Sequence, residues 1–238
     1  MVSLDQAQHR NLLLRRMNGT DYDLLTPHLQ PFDVAQGDTL FPAGEPAAHA
    51  IFLECGIFSL IACSPDGQEV EAGLLGRDGF APTVLAAADD RSPYRGDIQV
   101  GGHGFRIPAA TFQAMASERT ALRTMLQRFA HVLAMQAGFT ALSNAVHPVE
   151  ERLARWLLMC DDRVDTGELA LTHEFLSLML AVRRPTVTTA LHVLEGNGFI
   201  RAERGLVVMR NRAALEEFAG DAYGKPEREY ERLLGPFR

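Results

Sequence analysis

The pattern of apolar and polar positions divides the chain into segments of different character. Residues 1–30 form short helical pieces, and residues 30–108 consist of short apolar runs separated by Gly, Pro and Asp. Such runs, bounded by turn residues, are typical of antiparallel strands. Residues 64–69, "SPDGQE", are the clearest hairpin turn, because proline presets φ and glycine accepts a positive φ. The pattern predicts an all-β roll after the N-terminal helices.

The next segment, from Ala109 to Ser143, contains no proline and one glycine and is rich in Ala, Leu, Met, Gln and Arg. Its large apolar side chains recur at heptad-like spacing, which predicts a helix of ~30 residues with an apolar seam. The seam residues are Met115, Leu122, Leu126, Phe129 and Leu133. Because so long a helix needs a partner along its side, we interpret the seam as a dimer interface. Packing of the helix on the roll is the alternative.

The C-terminal segment predicts a winged helix-turn-helix. Pro148 begins an amphipathic helix, Thr172 is placed to cap a compact second helix, and Pro185 lies at the start of a third helix. The apolar face of this third helix consists of Val187, Leu191 and Leu194. Two runs that alternate around residues 203–205 follow it, as expected for a β-hairpin wing.

Charge is distributed unevenly along the chain. The net charge is −7, which taken globally argues against nucleic acid binding. The window from Thr172 to Arg212, however, holds six arginines against three glutamates, whereas residues 1–147 hold ten arginines against fifteen acidic residues. A basic C-terminal patch on an acidic body is typical of a DNA-binding domain joined to a regulatory domain. Charge alone leaves open the alternative of a solvated charged face.

In a helix-turn-helix the second helix lies in the major groove and its first turns face the base edges. Here that helix starts at Pro185, and four side chains on its polar face are candidates for base reading: Arg184, Thr188, Thr189 and His192. Arg184 suits a two-pronged contact with guanine, because the guanidinium is a planar fork. Six further side chains are better placed for phosphates: Thr172, His173, Arg183, Thr186, Arg201 and Arg204.

The composition is that of an ordinary globular protein, with 47% apolar and 22% charged residues. No apolar run approaches the ~20 residues that span a bilayer, and the first residues lack the order of a signal peptide. The cysteines, Cys55, Cys63 and Cys160, are far apart and form no CxxC pair, as expected in a reducing cytoplasm. We therefore expect a cytoplasmic protein with buried thiols. A redox switch between Cys55 and Cys63 is an open alternative.

Two stretches resemble the Crp/Fnr family of bacterial transcription regulators. "LTHEFLSLMLAVRRPTVTTALHVLEGNGFIR", residues 171–201, is similar to the family's helix-turn-helix, and "GEPAAHAIFLECGIFSLIACSPDGQEVEAGLLGRDGF", residues 44–80, is similar to its effector domain. The resemblance implies an α+β fold in which an antiparallel, cyclic-nucleotide-binding-like β-roll occupies residues 1–108. A long dimerisation helix at 109–143 and a C-terminal winged helix-turn-helix DNA-binding domain at 148–238 would follow.

The resemblance also implies partners. These are a second copy of the chain, giving a homodimer, and double-stranded DNA with an inverted-repeat site whose half-sites lie about one helical turn apart. RNA polymerase is a further expected partner if the protein activates transcription. No membrane partner is expected.

The residues that hold cyclic AMP in responsive family members are largely replaced. Where those members have a Gly-Glu-Leu segment, this chain has Ala81, Pro82 and Thr83, so the ribose-binding carboxylate is missing. The central-helix positions that contact adenine in those members fall at Ala137 and Gly138, and neither has a polar side chain. We therefore predict an effector other than cyclic AMP, or none, and no resident cofactor.

One part of the family's ligand site is retained. Arg91 and Ser92 match the Arg-Ser pair that holds the cyclic phosphate, although Pro93 follows directly. Together with Arg95, they form the candidate site for an unidentified anionic effector, with surface charge as the alternative. The iron–sulfur members of the family place a cysteine cluster near the N-terminus, whereas the first cysteine here is Cys55.

The recognition helix also departs from the family pattern. Members commonly carry Glu directly after the recognition-helix arginine and Arg four residues further on, where this chain has Pro185 and Thr189. Since proline accepts no hydrogen bond from cytosine and threonine does not fork onto guanine, the half-site should differ from the usual one. A regulator that acts mainly through protein partners, with weak DNA binding, remains an alternative function. We expect no enzyme activity, because the chain has no nucleophile elbow, phosphate-cradling loop or HExxH motif.

Overall fold

The structure is a computed structural model that describes residues 5–237. An antiparallel sheet forms the N-terminal half, as predicted. Its strands are β1 (Gln30–Val34), β2 (Thr39–Phe41), β3 (His49–Cys63), β4 (Glu69–Leu75) and β5 (Arg95–Pro108). Their order is β1-β5-β3-β4, and β2 also pairs with β5. The β3–β5 register shifts between Leu53 and Phe58, and such bulges bend and twist strands, so the sheet curls into a roll.

Helices pack around the roll and form most of the C-terminal half. They are α1 (Leu12–Arg16), α2 (Gly19–Leu25), α3 (Ala109–Glu118), α4 (Thr120–Val146), α5 (Val149–Asp161), α6 (His173–Leu180), α7 (Arg184–Gly196), α8 (Arg212–Ala219) and α9 (Lys225–Leu234). Short 3-10 turns lie at Gln6–Gln8, Thr26–His28, Thr83–Ala87 and Gly220–Ala222. A second small sheet has the order β6-β8-β7, with β6 (Glu168–Leu169), β7 (Ile200–Glu203) and β8 (Leu206–Met209).

The predicted long helix is interrupted, which corrects the expectation of one helix over 109–143. Arg119 separates α3 from α4 and has an extended backbone, with φ −108° and ψ 99°. Its Nε donates to Oδ1 of Asp21 at 2.6 Å, and the Asp21 side chain is fully buried. The buried carboxylate holds the guanidinium against the N-terminal helices, so the chain changes direction at a position without glycine or proline.

The predicted dimer seam lies mostly inside the chain's own core, which is a second correction. Of the five seam residues, Leu122, Leu126, Phe129 and Leu133 are buried against the roll and α9, and Met115 packs at the edge of the same core. The Phe129 ring sits directly on Gly79, where a Cβ would overlap it. Side chains that are covered within one chain have little surface left for a partner. The alternative of packing on the roll is therefore the one that the structure shows.

A second core joins the outer face of the roll to the C-terminal domain. Ile57, Ile61 and Leu74 of the roll pack among the buried side chains of α5, α6 and α7. Two polar contacts reinforce this junction: Trp156 Nε1 donates to Glu71 Oε1 at 2.9 Å, and Arg163 Nη2 donates to Asp78 Oδ2 at 2.6 Å. All four of these polar side chains are buried. The helix-turn-helix is thus held on the roll, in a defined position.

The last helix leaves the C-terminal domain. α9 runs back along α4, and its Tyr230 is buried in the roll core, with the hydroxyl donating to the Asp78 carbonyl at 2.7 Å. Phe237 packs edge-on against Tyr230, with ring centroids 4.7 Å apart. The segment that was expected to belong entirely to the DNA-binding domain therefore ends as part of the N-terminal core. Within residues 5–237, no helix is both long and apolar enough to cross a membrane.

Candidate nucleic-acid interface

The helix-turn-helix is built by local signals. Thr172 caps α6, as predicted, and its Oγ1 accepts from the Phe175 backbone N–H at 3.2 Å. α6 ends at Leu180, and its C-cap residue Ala181 has a positive φ of 50°. α7 begins at Arg184, one residue earlier than expected, with Pro185 in its first turn. Proline has no N–H, and the first-turn N–H groups of a helix lack a partner in any case, so it starts the helix at no cost in hydrogen bonds.

α7 has two faces of opposite character. Val187, Leu191 and Leu194 are buried against the other helices of the domain, as the periodicity predicts. The opposite face carries the four side chains expected to read bases, of which Arg184, Thr189 and His192 are exposed and Thr188 is partly buried. The helix is therefore anchored by one side and presents the other to solvent.

Two contacts tie this exposed face to α6. Arg184 Nη2 lies 2.6 Å from Oε2 of Glu174, and both side chains are exposed. Thr188 Oγ1 lies 3.1 Å from Nδ1 of His173. Thr188 and Thr189 also donate to backbone carbonyls one turn earlier in α7, at 3.2 and 3.1 Å. The sequence analysis did not identify Glu174, whose carboxylate competes with DNA for Arg184. Its position in the first turn of α6, the helix before α7, could have indicated this contact.

An open cleft of about 710 Å³ lies between α7, the start of α6 and the β7–β8 wing. Of the predicted DNA contacts, it brings together Thr172, His173, Thr188, His192 and Arg204. The wing is fixed beside α7 because Oε1 of Glu195 accepts from the Ala202 N–H at 2.9 Å.

The remaining predicted phosphate contacts flank this cleft and do not line it. Arg183 occupies the N-cap position of α7 without a side-chain capping bond, and Thr186 lies in the first turn; both are exposed. Arg201 is on the wing, where it pairs with Glu203 at 2.7 Å. The predicted residues thus lie in the cleft or beside it.

The residues predicted to bind an anionic effector do not converge on one site. Arg95 is held by two carboxylates, Glu69 at 2.6 Å and Asp97 at 2.8 Å. Arg91 donates to the Gly44 carbonyl at 3.0 Å, and Ser92 is buried with its hydroxyl accepting from the Tyr94 N–H. In the described chain these groups therefore have separate partners, and an effector site at Arg91, Ser92 and Arg95 stays a prediction.

The cavity between the roll and α4 is small. It measures about 130 Å³, and its lining includes Thr83 and Ala137, two positions that the family resemblance assigns to cyclic AMP contacts. The other lining residues are Leu60, Ala72, Tyr94, Ala130, Leu133 and Ala134. Pockets that hold drug-sized ligands are usually about 300–1,000 Å³, so this space is too small for a nucleotide.

The proposed redox pair is not assembled. Cys55 and Cys63 lie on the same strand, β3, eight residues apart, and a strand rises about 3.3 Å per residue. Their sulfurs are therefore far beyond disulfide distance. Cys55 instead lies beside His103 of β5, with Sγ and Nδ1 3.1 Å apart.

Comparison with known proteins shows which proteins this chain is similar to. Residues 151–218 match the Crp-like helix-turn-helix domain family. Across 212 aligned residues the chain is 27% identical to the CRP-like cAMP-activated global transcriptional regulator of Mycobacterium tuberculosis, with 80% of this chain and 88% of that protein covered.

Solved structures share most of this architecture. FixK2 from Bradyrhizobium japonicum superimposes with a TM-score of 0.67 at 17% identity, covering 79% of this chain and 96% of FixK2. The c-di-GMP responsive global regulator CLP of Xanthomonas campestris gives a TM-score of 0.61 at 17% identity, with 81% of this chain and 99% of that chain covered. At these identities the likeness shows the fold: a roll, a central helix and a C-terminal helix-turn-helix.

Proposed function

We propose that the chain is a transcription regulator of the Crp/Fnr type that binds a two-fold symmetric DNA site as a homodimer. The match of residues 151–218 to the Crp-like helix-turn-helix domain family and the 27% identity to a CRP-like regulator support this proposal. The observation that carries the proposal is the division of α7 into a buried apolar face and an exposed face of arginine, threonine and histidine. In a dimer, two such helices enter successive major grooves about one helical turn apart. RNA polymerase becomes a further partner if the protein activates transcription.

Base reading is assigned to the first turns of α7. Arg184 contacts guanine through its guanidinium fork, and Thr188, Thr189 and His192 supply weaker contacts to neighbouring base edges. The Thr188 and Thr189 hydroxyls each donate within the helix and keep acceptor capacity toward the groove. Pro185 offers no polar group, so the half-site differs from that of relatives with glutamate at this position.

Phosphate contacts surround the base-reading face. Thr172 and His173 at the start of α6, Arg183 and Thr186 at the start of α7, and Arg201 and Arg204 on the wing are the side chains concerned. They fix the register of the protein on the duplex and carry no sequence information themselves. Arg201 leaves Glu203 when it binds a phosphate, at little cost, because exposed ion pairs are worth about 0–1 kcal/mol.

The dimer contact is assigned to the exposed face of α4, opposite the face that packs on the roll. The small or apolar residues of this face are Gly138, Ala141, Leu142, Ala145 and Val146. Leu142 and Val146 are 49% and 62% exposed, among the few large apolar side chains with such exposure in the described chain. A Cβ at Gly138 would meet no atom within 4 Å in this chain, so the position allows close approach of a second helix.

The effector, if there is one, is a molecule other than cyclic AMP. Ala81, Pro82 and Thr83 supply no carboxylate for ribose, and Ala137 and Gly138 supply no polar side chain for adenine. The small apolar cavity at this place supports the same conclusion.

The test is an in vitro DNA selection with the purified protein and no added ligand, followed by binding measurements at two salt concentrations. The proposal predicts an inverted repeat whose affinity falls steeply between ~50 and ~200 mM salt, because phosphate contacts release counterions. Recovery of single, non-repeated sites would contradict the dimer. Failure to enrich any sequence, both with and without cell extract, would contradict DNA reading itself.

A further inference from the structure

A cavity of about 280 Å³ opens in the roll between β1, β2 and the adjoining parts of β3 and β5. It is separate from the space under α4, with which it shares no lining residue. Its apolar walls come from Phe32, Leu40, Phe41 and Ile51. Its polar lining consists of Asp38, Thr39, His49 and Arg106. A mixed lining of this kind is typical of small-molecule sites.

Arg106 is the unusual member of this lining. Its Nε is buried, and it is the one such side-chain nitrogen or oxygen without a hydrogen-bond partner in residues 5–237. No carboxylate of the described chain pairs with its guanidinium, which lies 5.8 Å from the centre of the Phe32 ring. Buried polar groups are nearly always satisfied, and an unpaired charged donor is costly. The Phe32 ring lies against the Arg106 guanidinium but does not neutralise its positive charge.

The other polar groups of the cavity do not neutralise Arg106. Thr39 Oγ1 donates to Asp97 at 2.9 Å, and an Asp38 oxygen accepts from the Ala35 N–H at 2.8 Å. Burial, with a further contribution from Arg106, lowers the pKa of His49, so the imidazole is neutral at pH 7. One positive charge, on Arg106, therefore faces the cavity. The Asp38 carboxylate in the lining disfavours a ligand that carries two negative charges.

We propose that this cavity binds a small organic carboxylate with a short apolar body. The carboxylate pairs with the planar fork of Arg106, the geometry that suits guanidinium and carboxylate groups. The apolar body lies against Phe32 and Phe41. The volume is sufficient for one ring, because a cavity of about 150 Å³ is known to hold benzene. The site is distinct from the cyclic nucleotide position of the family and independent of the DNA-binding surface.

The experiment is a benzoate titration of the full chain without DNA, followed through the NMR signals of the His49 ring. We expect a saturable shift of these signals and a rise in the His49 pKa, because the bound anion offsets the charge of Arg106. Benzamide, which has the same shape without the charge, should bind at least about tenfold more weakly. Inorganic phosphate, which has no apolar body, should also be at least about tenfold weaker.

Three variants locate the site. Arg106→Gln should weaken benzoate binding by about tenfold or more. Ala48→Phe, at an exposed residue that lines the cavity, should block binding while leaving the arginine in place. Arg91→Gln removes an exposed arginine outside the cavity and should leave the affinity unchanged.

Any of three results would overturn the proposal: no saturable response, equal affinity in the wild type and Arg106→Gln, or phosphate as tight as benzoate. Since the titration contains no DNA, its failure would leave the proposed DNA function untouched.

Discussion

At the scale of single residues, we expect Arg184 to contribute most to base recognition. It is exposed and paired with Glu174 across the helix-turn-helix, so binding guanine means exchanging one partner for another. Exposed pairs of this kind contribute at most about 1 kcal/mol, whereas a bidentate contact with guanine discriminates by about 1–3 kcal/mol. The exchange therefore favours DNA.

Arg184→Ala should cost roughly 1–3 kcal/mol of binding free energy and relax the preference at one base position. The measurement is binding to the selected site and to its single-base variants at fixed salt. Glu174→Gln should have the opposite effect. It removes the ion pair that holds Arg184 and should tighten DNA binding by up to about fivefold. A uniform loss across all sequences in Arg184→Ala would make this arginine a phosphate contact.

Glu71 gives a second prediction at this scale. Burial raises its pKa from 4.5 to about 7, against the opposing effect of hydrogen bonds from Ser59 and Trp156. The folded state thus holds the proton more strongly than the unfolded state, so the free energy of unfolding falls as pH rises from about 4.5 to about 7. The loss is on the order of 2–3 kcal/mol.

Glu71→Gln keeps an acceptor for Trp156 and should remove this part of the pH dependence. Urea unfolding of both proteins between pH 5 and 8 measures it. Parallel pH profiles for the two proteins would show that Glu71 stays ionised in the folded chain.

At the scale of elements, features set by neighbouring residues could be predicted from the sequence, whereas features set by long-range contacts could not. The helix-turn-helix was predictable because Thr172, Pro185 and the spacing of Val187, Leu191 and Leu194 carry the information within a few residues. The break at Arg119 was not, since it depends on Asp21, 98 positions away. Heptad spacing likewise shows that one face of α4 is covered but does not identify the covering surface, which is the roll.

The opposite face of α4 yields a prediction for the dimer. Gly138→Leu should place a large side chain where two helices approach and raise the dimer dissociation constant at least about tenfold. Gly138→Ala should be tolerated within the chain, because the position is open and alanine favours helix by about 1 kcal/mol. Sedimentation equilibrium measures both.

Ala121→Leu, at an exposed position near the start of the same helix, is the matched control and should leave the dimer intact. Equal dissociation constants for Gly138→Leu and the wild type would place the interface elsewhere.

At the scale of the whole molecule, the C-terminal domain follows a break between two helices and is held on the roll by fixed contacts. α4 ends at Val146, His147 is extended, and α5 starts after Pro148, at the break that the sequence predicts. The Trp156–Glu71 and Arg163–Asp78 contacts hold the domain on the roll. The pairing of Arg91 with the Gly44 carbonyl and of Arg95 with Glu69 could not be predicted from the sequence, because these partners are 47 and 26 positions away.

We predict that the domain turns about residues 143–148 when DNA binds. Hydrogen exchange in this segment should change on addition of the selected duplex. The emission of Trp156, the single tryptophan of the chain, should shift as its contact with Glu71 alters. Unchanged exchange and unchanged emission in the saturated complex would show that the domain binds DNA in the position seen here.

The central claim, a dimer that reads a symmetric site, is tested most directly by native mass spectrometry of the chain with its selected duplex. The predicted result is two chains per duplex, and a sharp loss of the complex when one half-site is scrambled. One chain per duplex, with affinity unchanged by the scrambled half-site, would show that the protein does not read the site as a dimer.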